Sequence, residues 1–282
     1  MRKILLAALM LFSCDAFSAE FRALSYNIWG RPWPLPSKPK RFPKIKKYLS
    51  THNVDVVGFQ ESFSRKAKRL KDIPGFPYYA RGNAGSLLRT SSGILTISKH
   101  PIVRVERLRY SDCAGTDCLA RKGALLTTHL IAGVGLVDVV NTHLNAAGGD
   151  ETREAQLWQL ILFINDQHVS GRPLIVMGDF NFPPTSKLYD LWIRTANIVY
   201  DTHQKYVDDN PELPQSVRQG WTKPKKKNGK PGKRIDYIFS GLDSTHLKTI
   251  TSKVMFSNHH NGRALSDHLP SRRSSPPRIK LQ

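Results

Sequence analysis

The chain has 282 residues and carries 43 Lys and Arg against 22 Asp and Glu, a formal net charge of +21. With 40% hydrophobic and 9% aromatic residues it is too apolar for a disordered basic tail, and collagen, coiled-coil and low-complexity readings are excluded. Its excess of basic groups predicts a polyanionic partner, nucleic acid or an anionic membrane surface, because the summed field concentrates such partners before any specific contact forms.

The first residues read as a targeting segment. Arg2 and Lys3 precede nine apolar residues at 4–12, and small residues follow at Ser13, Ala16, Ser18 and Ala19. Nine apolar residues fall far short of the roughly 20 a spanning helix needs. Cleavage after Ala19 leaves 263 residues at a net charge of +20, so the basic bias belongs to the mature chain. Secretion, or release into a periplasm, is the expected destination. Leu11-Phe12-Ser13-Cys14 resembles a lipoprotein box, and anchoring at Cys14 is the lesser alternative.

Residues 21–29 alternate apolar and polar side chains, a strand pattern, and a Pro-rich loop at 31–43 leads into a helix at 44–52 with Ile45, Tyr48 and Leu49 on one face. Strands are expected at 54–59, 93–98, 103–110, 123–129, 136–143, 174–177 and 235–240, with helices at 151–168 and 186–196. Elements mixed without a strict βαβ period suggest one α/β or α+β domain over 20–270, followed by a loosely ordered basic tail at 271–282. If the leader takes Cys14 away, Cys113 and Cys118 remain as an even pair in an oxidising compartment. A disulfide is the natural reading, with Gly115 easing the turn between them.

The chemistry sits at strand ends. Asn27, Glu61, His143, Asn145, Asp179, Asn181 and Asp236 each follow an apolar run, and Asp267-His268 lies near the end of the domain. Taken singly, Asn or Asp after a strand is a turn initiator. Gly178-Asp179-Phe180-Asn181 is stronger, since it sets a carboxylate at a buried strand end where an unpaired charge is costly. A mouth rich in oxygen ligands with two imidazoles suits Mg²⁺, with Mn²⁺, Co²⁺ or Ca²⁺ as alternatives, and does not suit a closed zinc cage.

In order along the chain, Ser25-Tyr26-Asn27, Gln60-Glu61, Asn141-Thr142-His143-Leu144-Asn145, Gly178-Asp179-Phe180-Asn181, Ile235-Asp236-Tyr237-Ile238 and Ser266-Asp267-His268 resemble the endonuclease/exonuclease/phosphatase superfamily, the DNase I-like fold. The resemblance implies a four-layer sandwich, two packed mixed β-sheets flanked by helices, with Mg²⁺-dependent phosphoester cleavage at one edge. Within that superfamily the chain is most similar to neutral sphingomyelinases, including secreted bacterial ones. Residues 113–123, ending in Lys122-Gly123, and residues 142–157 carry that likeness, although Asn145 stands where many relatives have His or Gln.

By this resemblance Glu61, assisted by Asn27, holds the metal. Asp179 and His268 position and deprotonate water, and Asn181 and His143 donate to phosphate oxygens. Asp236 orients a catalytic histidine, and Asp267 orients His268 or holds a second ion. Asn145 is placed at the phosphate; Lys122 either reaches the phosphate or is a solvated lysine. No Asp or Glu lies between Asp72 and Glu106, where DNase-like relatives often carry an acid.

Basic residues cluster in three runs, with seven at 31–47, five at 65–71 and seven at 223–234, and Trp29, Trp33 and Trp221 punctuate them. That combination suits docking on anionic or sphingomyelin-containing membrane, and also a groove that follows nucleic acid backbone. The expectation is a monomeric sphingomyelinase C-like phosphodiesterase. A secreted metal-dependent nuclease, a phosphatase acting on another phosphoester and a non-catalytic binding module are the alternatives.

Overall fold

The computed structural model describes residues 20–32, 35, 39–196, 199–223, 231–241, 249, 251–255, 266, 268 and 271–275. The expected leader at 1–19, Asp267, Trp33, residues 276–282 of the tail and residues 224–230 of the third basic run lie outside the described residues.

Twelve strands are described, in chain order β1 (Phe21–Gly30), β2 (Val56–Ser62), β3 (Tyr78–Arg81), β4 (Leu95–Ser98), β5 (Ile102–Arg109), β6 (Gly123–Ile131), β7 (Gly135–His143), β8 (Leu174–Asp179), β9 (Val199–Asp201), β10 (Asp236–Gly241), β11 (Thr251–Val254) and β12 (Ser271–Ser275). They form two six-stranded sheets, ordered β11-β12-β1-β2-β4-β3 and β5-β6-β7-β8-β10-β9. Each sheet has one parallel pair, β1 with β2 and β7 with β8, among otherwise antiparallel neighbours. Helices α1 (Phe42–Thr51) and α2 (Arg65–Lys68) belong to the first half of the chain, and α3 (Asp150–Gln167) and α4 (Lys187–Thr195) to the second.

Period-two alternation builds the layers. In β1, Leu24, Tyr26 and Ile28 pack with Phe42, Ile45 and Leu49 of α1, while Phe21 and Ala23 face the other sheet. In β8, Leu174 and Val176 pack with Leu157 and Leu160 of α3, while Ile175 and Met177 meet Phe21, Ala23 and Val56 between the sheets. The expected four-layer sandwich of two mixed sheets flanked by helices is therefore observed. Among the described residues no helix is long and apolar enough to cross a membrane.

Short elements escaped the sequence reading. β3, β9 and β11 are three or four residues long, too short to show a period. The tail expected from Ser271 onward is not loose at its start, because β12 lies between β1 and β11 and pairs antiparallel with both. Its Arg- and Ser-rich composition hides a strand whose warrant is the backbone it supplies to the otherwise open edge of β1. Cys113 and Cys118 form the expected disulfide, with Cα atoms 5.2 Å apart.

A chain ending at residue 270 exposes the β1 edge and strips β11 of its partner. Its melting temperature should fall by at least about 5 °C, a loss of roughly 2 kcal/mol; an unchanged melting temperature would mean that β12 contributes nothing.

Candidate active site

The same alternation that buries the inter-sheet core delivers polar side chains to one end of it. Asn27 continues the inward parity of Phe21 and Ala23, His143 that of Val137 and Val139, Asp179 that of Ile175 and Met177, and Asp236 that of Ile238. The register aligns them, with Asp179 opposite His143 on one side and opposite Asp236 on the other. A parallel pair this close leaves no room for a side chain on β8 beside Thr142, since a Cβ at Gly178 would lie 2.1 Å from the Thr142 carbonyl oxygen.

Asp179 is the centre. Its Oδ2 lies 3.6 Å from His143 Nε2 and 3.7 Å from His268 Nε2, and it accepts a hydrogen bond from Asn27 Nδ2 at 2.9 Å. His268 Nδ1 meets Asp236 Oδ2 at 2.7 Å. Burial and the neighbouring Asp236 carboxylate push the Asp179 carboxyl up to about 7, against the pull of His268 and the Asn27 hydrogen bond. Burial, helped by the charges of Lys122 and His268, drives His143 well below the usual imidazole range, so that ring is neutral. Asp236 Oδ1 and His143 Nδ1 are buried without a hydrogen-bond partner among the described residues.

Glu61 reaches the site by breaking the alternation. On a regular strand it would share the parity of Val57 and Phe59 and face the helices, but its φ of +56° turns it toward Asn27, whose Nδ2 bonds Glu61 Oε1 at 3.0 Å. Trp29 (φ +49°) and Asn181 (φ +56°) are the other non-glycine residues with left-handed backbone among those described, at the ends of β1 and β8. Such strain costs on the order of 1–2 kcal/mol per residue, and all three instances gather at this edge. Asn181 N donates to Asp179 Oδ1 at 3.0 Å, which fixes that carboxylate, while its side chain donates to Leu144 O.

These residues fit a divalent cation. One amide nitrogen, that of Asn27, stands between the carboxylates of Glu61 and Asp179, and the Asp179 and Asp236 carboxylates are opposed by hydrogen bonds, His268 and the charge of Lys122. Asp179, Asp236 and His268 also bring one donor atom each within 4.8 Å of one another. Their His268–Asp236 hydrogen bond suits an acid–base pair, whereas the Glu61 carboxylate, a hard oxygen donor beside Asn27, suits an ion such as Mg²⁺.

Lys122 is not a solvated lysine. It is buried, with Nζ 3.2 Å from Asp117, 2.9 Å from Leu144 O and 3.2 Å from His143 Nε2. Asp117, inside the disulfide loop, also accepts from the backbone of Ala146 and Ala147, so the loop braces the turn after β7. Asn145, expected at the phosphate, belongs to that brace: its buried amide nitrogen donates to Ala114 O and Ala147 O, and its backbone N–H is held by Gln156. A second correction concerns the third basic run, where Arg234 is buried, paired with Asp201 and set over the Tyr237 ring, and adds nothing to an exposed basic surface. Trp29 lies under the guanidinium groups of Arg31 and Arg41. Thr222, whose hydroxyl accepts from the Ile235 and Asp236 backbone N–H groups, carried no signal of its own in the sequence, and the buried Gln60–Asn141 pair at 2.8 Å joins two motif residues whose role was not legible in the sequence. Asp267 lies outside the described residues.

The pattern of the Endonuclease/Exonuclease/phosphatase family matches residues 24–268, and the chain belongs to that family. It is 32% identical over 205 residues to a protein of Mycobacterium bovis named Sphingomyelinase, an alignment covering 65% of this chain and 41% of that protein. The chain thus spans about two fifths of the length of that relative. Among solved structures, sphingomyelinase C from Streptomyces griseocarneus superposes with a TM-score of 0.71 at 19% identity, covering 92% of this chain and 99% of that one. A mutant beta toxin from Staphylococcus aureus with bound magnesium ions gives 0.70 at 17%, covering 92% and 100%. At these identities the superpositions show a shared fold.

Because the folded Asp179 carboxyl is raised from 3.8 to about 7, the folded state holds a proton that the unfolded chain releases. In EDTA, stability should therefore fall as pH rises from about 4 to 7, and Asp179→Asn should remove that component of the slope; an identical slope in the variant would contradict the assignment. Mg²⁺ at 100 times its Kd should add about 2.7 kcal/mol in thermal melts of the wild type at pH 8, and Glu61→Gln should lose most of that gain.

Proposed function

We propose that this chain is a Mg²⁺-dependent, sphingomyelinase C-type phosphodiesterase that hydrolyses sphingomyelin to ceramide and phosphocholine. The observation that carries the reading is the hydrogen-bonded His268–Asp236 pair set against Asp179, at the edge where Asn27 and Glu61 also meet. The relative named Sphingomyelinase supports the choice of lipid over nucleic acid, and the magnesium-bound toxin of the same fold supports the choice of ion.

With Nδ1–H donating to Asp236 Oδ2, His268 keeps its Nε2 lone pair facing the site, where it takes a proton from an attacking water. Asp179, fixed by Asn27 and by the Asn181 N–H, orients that water. The water oxygen bonds to phosphorus, the bond to the ceramide oxygen breaks, and the proton held by His268 returns to solvent or to the leaving oxygen. Neutral His143, whose Nε2 accepts from Lys122 Nζ and which therefore carries its proton on Nδ1, and the amide of Asn181 donate to the phosphate oxygens, and Lys122 adds positive charge beside His143 without meeting solvent. Held by Glu61 and Asn27, Mg²⁺ would supply neutralisation of the scissile phosphate and of the leaving oxygen.

The reading also assigns the enzyme to the outside of the cell or the periplasm. The charged and apolar leader at 1–19 and the paired Cys113 and Cys118 support that location.

Purified protein incubated with Mg²⁺ or EDTA against sphingomyelin vesicles and against plasmid DNA tests the proposal. Phosphocholine release should be abolished by EDTA and lowered about 10²–10⁴-fold by His268→Ala, with DNA left intact. DNA nicking without lipid turnover would replace this reading by the nuclease that the +21 charge favours.

A further inference from the structure

The strand directions bring two loops to the same edge as the catalytic cluster. One follows the C-terminal end of β3 and the other the C-terminal end of β5, while β6, paired to β7, begins there beside Thr142. The first loop carries Leu87, fully exposed at 100%, and Leu88 at 84%; the second carries Leu119 at 61%.

These leucines do not sit on loose chain. The turn that presents Leu87 and Leu88 is closed by Ser86 N donating to Arg89 O at 2.8 Å. Thr90 N then donates to Leu119 O at 2.7 Å and Arg121 N to Thr90 O at 3.2 Å, so the two loops hold each other. The Arg121 side chain donates back to Ala84 O. The next residue is Lys122, whose Nζ stands 3.2 Å from His143 Nε2. A short run of covalent and hydrogen bonds thus links an apolar tip to the reacting centre.

A turn tip facing only water favours Gly, Asn, Asp or Ser, and two adjacent exposed leucines there mark a contact surface. The tip is too small for a stable protein interface, which buries roughly 800 Å² on each partner. It matches insertion into the boundary between headgroups and acyl chains, where few side chains suffice. The local charge agrees: from residue 73 to 105 the chain has no Asp or Glu but has Arg81, Arg89, Lys99 and Arg104, and Arg89 is exposed beside the leucines. The nearby Asp117 carboxylate is turned inward to Lys122 and the Ala146 N–H.

We propose that Leu87, Leu88 and Leu119 form a wedge that inserts into a phospholipid bilayer beside the active site, with Arg89 at headgroup level. The inference rests on the lipid-phosphodiester reading, since the wedge would hold the site mouth against the surface that contains the substrate. Its apolar share should be insensitive to salt, unlike attraction through the exposed lysines of α1.

The test separates docking from chemistry. In EDTA, with vesicles of sphingomyelin and phosphatidylglycerol and 0.5 M salt, sedimentation should show Leu87→Ser combined with Leu88→Ser partitioning about tenfold more weakly than the wild type. Turnover of a water-soluble chromogenic phosphodiester in Mg²⁺ and the melting temperature should both stay unchanged. A Leu87→Trp variant should gain a blue-shifted emission component when vesicles are added. Equal partitioning of the double variant, or no blue shift, would overturn the wedge whatever the enzyme turns over. Leucine-dependent binding by a wild-type protein inert toward both phosphodiesters would support the wedge and sink the catalytic reading instead.

Discussion

The hydrogen bond from Asn27 Nδ2 to Asp179 Oδ2 crosses from one sheet to the other, and the polar edge of the sandwich depends on it. Asp179 is buried, and a buried carboxylate is tolerated only where partners compensate the water it has lost. The partners come from separate places in the chain: Asn27 from β1, His143 from β7, Asn181 from the turn after β8, and His268 from beyond β11. None can move far without stranding the others, so the requirement to satisfy one buried charge also sets the relative position of the two sheets at this end. The Gln60–Asn141 bond repeats the arrangement one layer deeper. Between the sheets the packing therefore grades from Phe21, Ile131 and Val137 at one end to a hydrogen-bonded polar network at the other.

The same network sets the two imidazoles of this edge in different states. Burial penalises charge on Asp179 and on His143 alike; the Asp236 carboxylate raises Asp179 further, against the pull of His268 and Asn27, whereas the positive Lys122 lowers His143 further. One imidazole is thereby held neutral, and the other is given a carboxylate partner at Nδ1. Lys122 is itself held by the disulfide-closed loop through Asp117, so a covalent cross-link 113–118 stiffens the wall of the site rather than the core. That loop also lends its backbone to the Leu87–Leu88 turn, which joins the proposed membrane contact to the wall that positions His143.

Positive charge has a narrower meaning in three dimensions than in one. Arg234 is consumed by Asp201, Arg41 and Arg31 lie over Trp29, and Lys122 serves the site. Lys44 and Lys47 on α1, with Arg65, Lys66 and Arg69 about α2, remain exposed in the described structure. A field produced by such groups steers and concentrates an anionic surface, and leaves substrate choice to the site.

Much of this was readable in the sequence because period-two alternation and strand-end polar residues are local properties. Asn27, His143, Asp179 and Asp236 could be picked out by reading each apolar run to its end, and each follows the inward parity of its strand. The disulfide followed from the cysteine count. What the sequence could not decide involves groups brought together over long separations or conformations against local preference. Glu61 turns inward only because its φ is positive, Asn145 is spent on bracing the disulfide loop, and Lys122 is buried by Asp117 and Leu144. Ser271–Ser275 becomes a strand only because β1 offers it an open edge. Local pattern determined the layers and which polar side chains stand at the strand ends. Tertiary structure alone decided which of them share a charge, since pairing and desolvation depend on distances that a linear chain does not contain.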